Sequence, residues 1–212
     1  MLKRIEKQYL GDDAVAQIRN LIIFGKYPPG MKLVERDLGS ELAISRTPVR
    51  DALKTLLGQG FVRYQGKSLE VCHFNSRDVD EIYPLIANIE GFLLSSADSY
   101  PARSLGKLRT INGLISSNQG NIARQVQLDI QWHSQLVGES RNQRAAEVLL
   151  SLRQLAARYD FAFASLQGQI SKSASDHEVI TELVARGDTA QAVRKLKAHW
   201  LQDLPLLKAA LT

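Results

Sequence analysis

The chain has 212 residues, 44% apolar and 23% charged, the composition of an ordinary globular protein with room for one or two compact domains. No apolar run approaches the roughly 18 residues of a membrane span, residues 1–7 lead into no apolar signal stretch, and the single cysteine, Cys72, excludes an internal disulfide framework. These features predict a cytoplasmic protein with no membrane partner. The net charge is +5, and 12 of the 27 Lys/Arg but only 8 of the 22 Asp/Glu lie in residues 1–76. The first third therefore carries most of the positive excess, as a phosphate-binding domain requires. A solvated basic face would look the same without a motif.

Asp12 or Asp13 is a candidate cap for a first helix, with Val15, Ile18, Leu21 and Ile22 at helical spacing. That helix stops near Gly25, and Tyr27-Pro28-Pro29-Gly30 is a turn signal. A second helix fits residues 35–42. A third fits residues 46–59, with Val49, Leu53, Leu56 and Leu57 as its apolar stripe and Gly58 and Gly60 at its end. Two short β-like runs then flank Gln65-Gly66-Lys67, which reads as a hairpin. Helix, helix, turn, helix and hairpin in this order make a winged helix-turn-helix over residues 1–76, with Asn75 and Ser76 as the hinge.

From Asp78 onward the periodicity is helical. Six helices are expected, at about residues 78–98, 103–117, 121–138, 141–165, 175–186 and 189–209. The chain is thus expected to be mostly α, with an N-terminal winged helix-turn-helix and, over residues 77–212, a six-helix antiparallel bundle.

The third helix opens with Ser45-Arg46-Thr47-Pro48-Val49-Arg50. Ser45 and Thr47 are both candidate caps, and Pro48 is tolerated in the first turn. Arg46 and Arg50 are i and i+4, so they share a face opposite the apolar stripe. Two arginines there suit the major groove, where Arg binds guanine O6 and N7 bidentately. Thr47 is within reach of a phosphate or base edge. The competing reading pairs these arginines with Asp51 or Glu35 at the surface.

In the second half Asp129 and His133 are also i and i+4. With His177 and His199 they offer one carboxylate and three imidazoles from three helices, a donor set for a divalent transition metal. The spacing fits an ordinary surface pair and satisfied core histidines as well. Cys72, Trp132 and Trp200 read as packing residues.

Two stretches carry a family resemblance. Pro29-Gly30-Met31-Lys32-Leu33, Glu35-Arg36-Asp37-Leu38, the helix from Ser45 to Leu53 and Gly60-Phe61-Val62 resemble the GntR family of bacterial regulators. The resemblance implies that Arg36, Arg46, Thr47 and Arg50 meet operator DNA, with Gly66 and Lys67 of the wing near the minor groove. The family wing usually has a second glycine where this chain has Ser68. Asp129-Ile-Gln-Trp-His133, then Ser140 and Asn142, then His177 and His199, resemble the effector domain of the FadR-like (FCD) branch, with the shorter VanR-type subgroup suggested by six helices. That branch implies a metal (zinc, nickel or manganese) held by Asp129, His133, His177 and His199. It also implies a homodimer and a small effector, commonly a carboxylic acid. The Arg that usually clamps the acid is replaced by Ile86, and Arg153 and Arg158 are its candidate substitutes. The function expected is a ligand-responsive transcription regulator, a repressor rather than an enzyme. A metal-dependent hydrolase or isomerase, and a regulator that senses the metal itself, are the alternatives.

Overall fold

The computed structural model describes residues 2–167 and 173–210, with side chains over 13–166 and 173–210. The chain divides into two compact units, Met1–Phe74 and Asn75–Thr212.

In the first unit α1 (Leu2–Ile23) packs on α3 (Arg46–Gly58), which also meets α2 (Glu35–Glu41). Asp12 and Asp13 lie inside α1 rather than at its start. The sequence before them, rich in Leu, Lys, Arg, Glu and Gln, favours helix and carries it back to Leu2. The turn between α2 and α3 is tight: Ile44 N donates to Gly39 O (3.0 Å). A Cβ on Gly39 would sit 2.9 Å from the Ile44 carbonyl oxygen, so only glycine permits this approach. Ser45 occupies the N-cap position of α3, yet its side chain makes no cap hydrogen bond. Val49, Leu53 and Leu56 are buried, joined by Ile18, Phe61 and Val71 in one core. At the end of α3, Gly60 N and Phe61 N donate to the carbonyls of Leu57 and Leu56, a Schellman closure that sets Phe61 against Leu56.

The wing is a three-stranded sheet in the order β1-β3-β2. Strands β2 (Val62–Gln65) and β3 (Ser68–Val71) pair antiparallel, and the two-residue β1 (Lys32–Leu33) adds to the far side of β3. Register pairs Gln65 with Ser68, so the hairpin loop is Gly66-Lys67. Gly66 has φ +61° and Lys67 is not among the positive-φ residues, the pattern of a II′ turn, which needs glycine only at its first central position. Ser68 is the first residue of an extended strand, where a second glycine has no conformational task.

Among the described residues the regular elements of the second unit are all helices: α4 (Ser76–Ser95), α5 (Ala102–Ser117), α6 (Ile122–Val137), α7 (Gln143–Gln167), α8 (Ser173–Ala185), α9 (Thr189–Leu201) and α10 (Leu204–Ala210). Asn75 and Ser76, expected as the hinge, begin α4: Asn75 Oδ1 accepts from Arg77 N (3.0 Å). The expected bundle is present with one change. Its last helix is divided, giving seven helices among the described residues. Pro205 is the cause, because it has no N–H for the Leu201 carbonyl and its ring would collide with that group. Helix α9 accordingly ends at Leu201, and α10 starts afresh with Pro205 in its first turn. Helix α4 packs against α7 and α9, α5 against α6 and α8, and α8 against α9.

Candidate metal centre and nucleic-acid interface

On α3 the spacing of Arg46 and Arg50 puts both on the exposed face, with Thr47 also exposed. Arg36, on α2, is exposed and pairs with Asp37 (2.9 Å). Arg50 is held: its Nε and Nη2 donate to Glu35 Oε1 (2.8 Å) and Oε2 (2.7 Å). The surface pairing that competed with DNA reading is therefore real for Arg50, whereas Arg46 has no hydrogen-bond partner among the described residues. Gly66 and Lys67 form the exposed tip of the wing.

In the bundle, Asp129 and His133 come from α6, His177 from α8 and His199 from α9. One donor atom from each lies within 4.8 Å of all the others. His133 Nε2 is 3.3 Å from His177 Nε2 and 3.8 Å from Asp129 Oδ2, and His177 Nε2 is 3.5 Å from Asp129 Oδ1. Donors about 2 Å from one ion stand about 3–4 Å from one another, so the spacing suits a single cation. His177 is fully buried and His133 is 2% exposed.

Carboxylates orient two of the rings. His133 Nδ1 lies 2.9 Å from Glu90 Oε1, and His199 Nδ1 lies 3.1 Å from Asp176 Oδ2. A carboxylate only accepts, so each Nδ1 carries a proton and Nε2 is the ring atom left to ligate. Glu90 Oε2 accepts from Trp200 Nε1, and Asp176 also takes Lys195 and Gln202. The third ring, His177, stacks on Trp132 at 3.6 Å between centroids and 5° between planes, and Ser173 Oγ bridges to Asp129 Oδ1 (2.5 Å).

Burial lowers the pKa of His133 and, further, of His177, so both are neutral imidazoles ready to donate lone pairs. Burial works the other way on Asp129, but neighbouring positive charge, of which the Arg153 guanidinium persists when the imidazoles are neutral, holds that carboxyl below the usual range. Neutral imidazoles facing an ionised carboxylate form an electron-rich pocket that a cation completes.

Sequence spacing named all four donors but neither orienting carboxylate. Glu90 had a legible signal: it is a charge on the buried stripe of α4, among Tyr83, Ile86, Ala87, Leu93 and Leu94. Asp176 had only its adjacency to His177. Ile86 is wholly buried. The guanidinium near the centre comes from α7 instead: Arg153 Nη2 is 3.3 Å from Asp129 Oδ2, and its Cζ lies 4.4 Å from the Trp200 ring centroid. Arg153 Nη1 is buried without a hydrogen-bond partner among the described residues. Arg158 pairs with Asp78 (3.7 Å) and donates to Tyr159 Oη. Ser140 and Asn142 stand before α7, where Asn142 Oδ1 accepts from Ala145 N (3.0 Å).

A winged helix-turn-helix followed by a helical domain with a buried polar centre defines a DNA-binding transcription regulator. Residues 10–69 match the model of the bacterial regulatory proteins of the gntR family, and residues 81–202 match the FCD domain. The chain belongs to the gntR family, with an FCD domain as its second half. It is 27% identical over 216 residues to the HTH-type transcriptional repressor GlaR of Escherichia coli K12, covering 94% of this chain and 96% of that protein. The fold is shared with a GntR transcriptional regulator of Rhodococcus sp. RHA1 (TM-score 0.80, 20% identity) and with E. coli McbR/YncC (TM-score 0.80, 16% identity). Each alignment covers 93% of this chain and 96% of the other.

Proposed function

We propose that the chain is a ligand-responsive repressor in which residues 1–76 bind operator DNA and residues 77–212 bind the effector and dimerise. The observation that carries the reading is the convergence of four donor atoms within 4.8 Å inside the helical unit, in a chain whose other half is a winged helix-turn-helix. Arg46, Thr47 and Arg50 read the major groove, Arg36 supports them, and Gly66 and Lys67 meet the minor groove. Two copies place these heads on the two halves of a pseudo-palindrome. Repression is favoured over activation because the 27%-identical relative is a repressor.

Asp129, His133, His177 and His199 would hold a divalent transition metal, with zinc, nickel and manganese as candidates. The metal would supply a Lewis-acidic anchor with open positions for an oxygen ligand. The orphaned Arg153 Nη1 offers a second anchor for a carboxylate, in place of the arginine that Ile86 replaces. A small carboxylic acid is therefore the effector class, and it acts by preferring one arrangement of the two heads.

The regulator reading is preferred to a hydrolase or isomerase because the two carboxylates that touch the ligand imidazoles are committed. Glu90 spends one oxygen on His133 and the other on Trp200, and Asp176 serves His199, Lys195 and Gln202. Neither is a free general base. Cytoplasmic location follows from DNA as partner. No helix among the described residues is long and apolar enough to cross a membrane.

The test is a fluorescence-anisotropy titration of the full chain on its selected operator, with metal and small carboxylic acids varied independently. Release by an acid only in the metal-loaded protein supports the proposal. Release by metal alone would establish the metal-sensing alternative, and turnover of an acid or ester would establish the enzyme.

A further inference from the structure

Arg50 is an exposed arginine whose guanidinium is nevertheless fixed, and its partner Glu35 has no assigned task. Glu35 opens α2 and Arg50 lies in the second turn of α3, fifteen residues on. The contact is a two-bond fork: Nε to Oε1 at 2.8 Å and Nη2 to Oε2 at 2.7 Å. Such paired, parallel bonds fix both the plane and the rotation of a guanidinium, which one bond does not. The carboxylate takes the side-on edge. The end-on edge, with one N–H from each of Nη1 and Nη2, is left over, and that edge matches guanine O6 and N7.

A carboxylate beside a DNA-reading surface repels phosphate, so Glu35 weakens sequence-independent attraction. Its presence is useful to a reader only through discrimination. Arg46 shares this face without a comparable brace. Asp51, also near Arg50, is engaged by Lys54 at 3.5 Å.

We infer that Glu35 is a positioning residue for base readout, holding Arg50 end-on so that it selects guanine rather than swinging to the nearest phosphate. The inference rests on the reading of Arg50 as a base-contacting residue. Freed from Glu35, Arg50 joins the pool of mobile cations that bind any duplex.

The test uses the full chain and a duplex selected from a randomised pool by the unmutated protein, with each G·C pair inverted in turn. Glu35→Gln is expected to bind random duplex more tightly and with a steeper salt dependence. It should also lose about tenfold of its preference for guanine at one position of each half-site. In an Arg50→Ala background the same Glu35→Gln change should leave that preference unaltered, which a merely structural role for Glu35 does not predict. If Arg50→Ala abolishes the preference while Glu35→Gln preserves it, the brace is wrong and the reading residue stands. If Arg50→Ala itself leaves the preference intact, Arg50 does not read that base, and the inference falls together with the assignment beneath it.

Discussion

Replacing Glu90 by Gln separates metal binding from folding. Glu90 is fully buried and gives one oxygen to His133 Nδ1 and the other to Trp200 Nε1. Both partners are donors, and glutamine has one acceptor oxygen and one NH2 group. The oxygen can keep Trp200, in which case the NH2 faces His133. The imidazole then satisfies it by the other tautomer, with Nδ1 accepting and Nε2 protonated. Both partners of Glu90 remain paired, so the metal-free protein should melt close to the unmutated one. A protonated Nε2 cannot ligate, however, and the proton must be relocated against its hydrogen bond before metal binds. Loss of such an orienting partner typically weakens metal affinity about 10–100-fold, or about 1.4–2.8 kcal/mol. Glu90→Ala lacks the rearrangement and leaves both donors stranded, at about 1–3 kcal/mol each. Calorimetric zinc titration of chelator-treated protein, with thermal unfolding of the same samples, measures both quantities. Unchanged zinc affinity in Glu90→Gln would show that the Nδ1–carboxylate contact does not set the ligating tautomer.

Three further outcomes are expected. Arg50→Ala should lower operator discrimination by about 1–3 kcal/mol and leave the melting temperature nearly unchanged, since its partnership with Glu35 is exposed; a gel-shift titration with operator and scrambled duplex checks the first and a thermal melt the second. Leu56→Ala empties a fully buried position on α3, the helix that packs on α1, and should destabilise the DNA-binding unit by about 2–5 kcal/mol, read by denaturant unfolding; a loss below about 1 kcal/mol would mean that the surrounding core collapses to fill the gap. Chelating agents should lower the melting temperature of metal-loaded protein, by the equivalent of about 2.7 kcal/mol when free metal had stood at 100 times its Kd; His177→Ala should abolish that difference.

Local signals made much of this molecule legible. The i, i+4 spacing of Arg46 and Arg50 and the single glycine of the wing tip are written within a few residues, and the structure has both arginines exposed on α3 and a two-residue turn at Gly66-Lys67. The four donors were also visible, because Asp129 and His133 share a helix face and histidines are scarce in this chain. What escaped depends on distant partners. Strand β1 is two residues long and exists only because Lys32 and Leu33 reach Glu70 and Leu69. Glu90 is 43 positions from the His133 it orients, and no periodicity announces which carboxylate will meet which ring. The break at Pro205 was written in the sequence, since proline inside a helical pattern removes a donor wherever it falls. There the apolar rhythm continuing into Leu206 and Leu207 masked the interruption.

Three helices bring the donors together, and His133 and His177 alone stand 44 residues apart. No hairpin or half-formed bundle can offer the complete set, because α6, α8 and α9 must all be docked before the last imidazole arrives. Ion capture at such a centre would thus have the character of an inspection step. Chains that finish folding would gain a tie across long stretches of sequence, while truncated or misassembled copies would lack it.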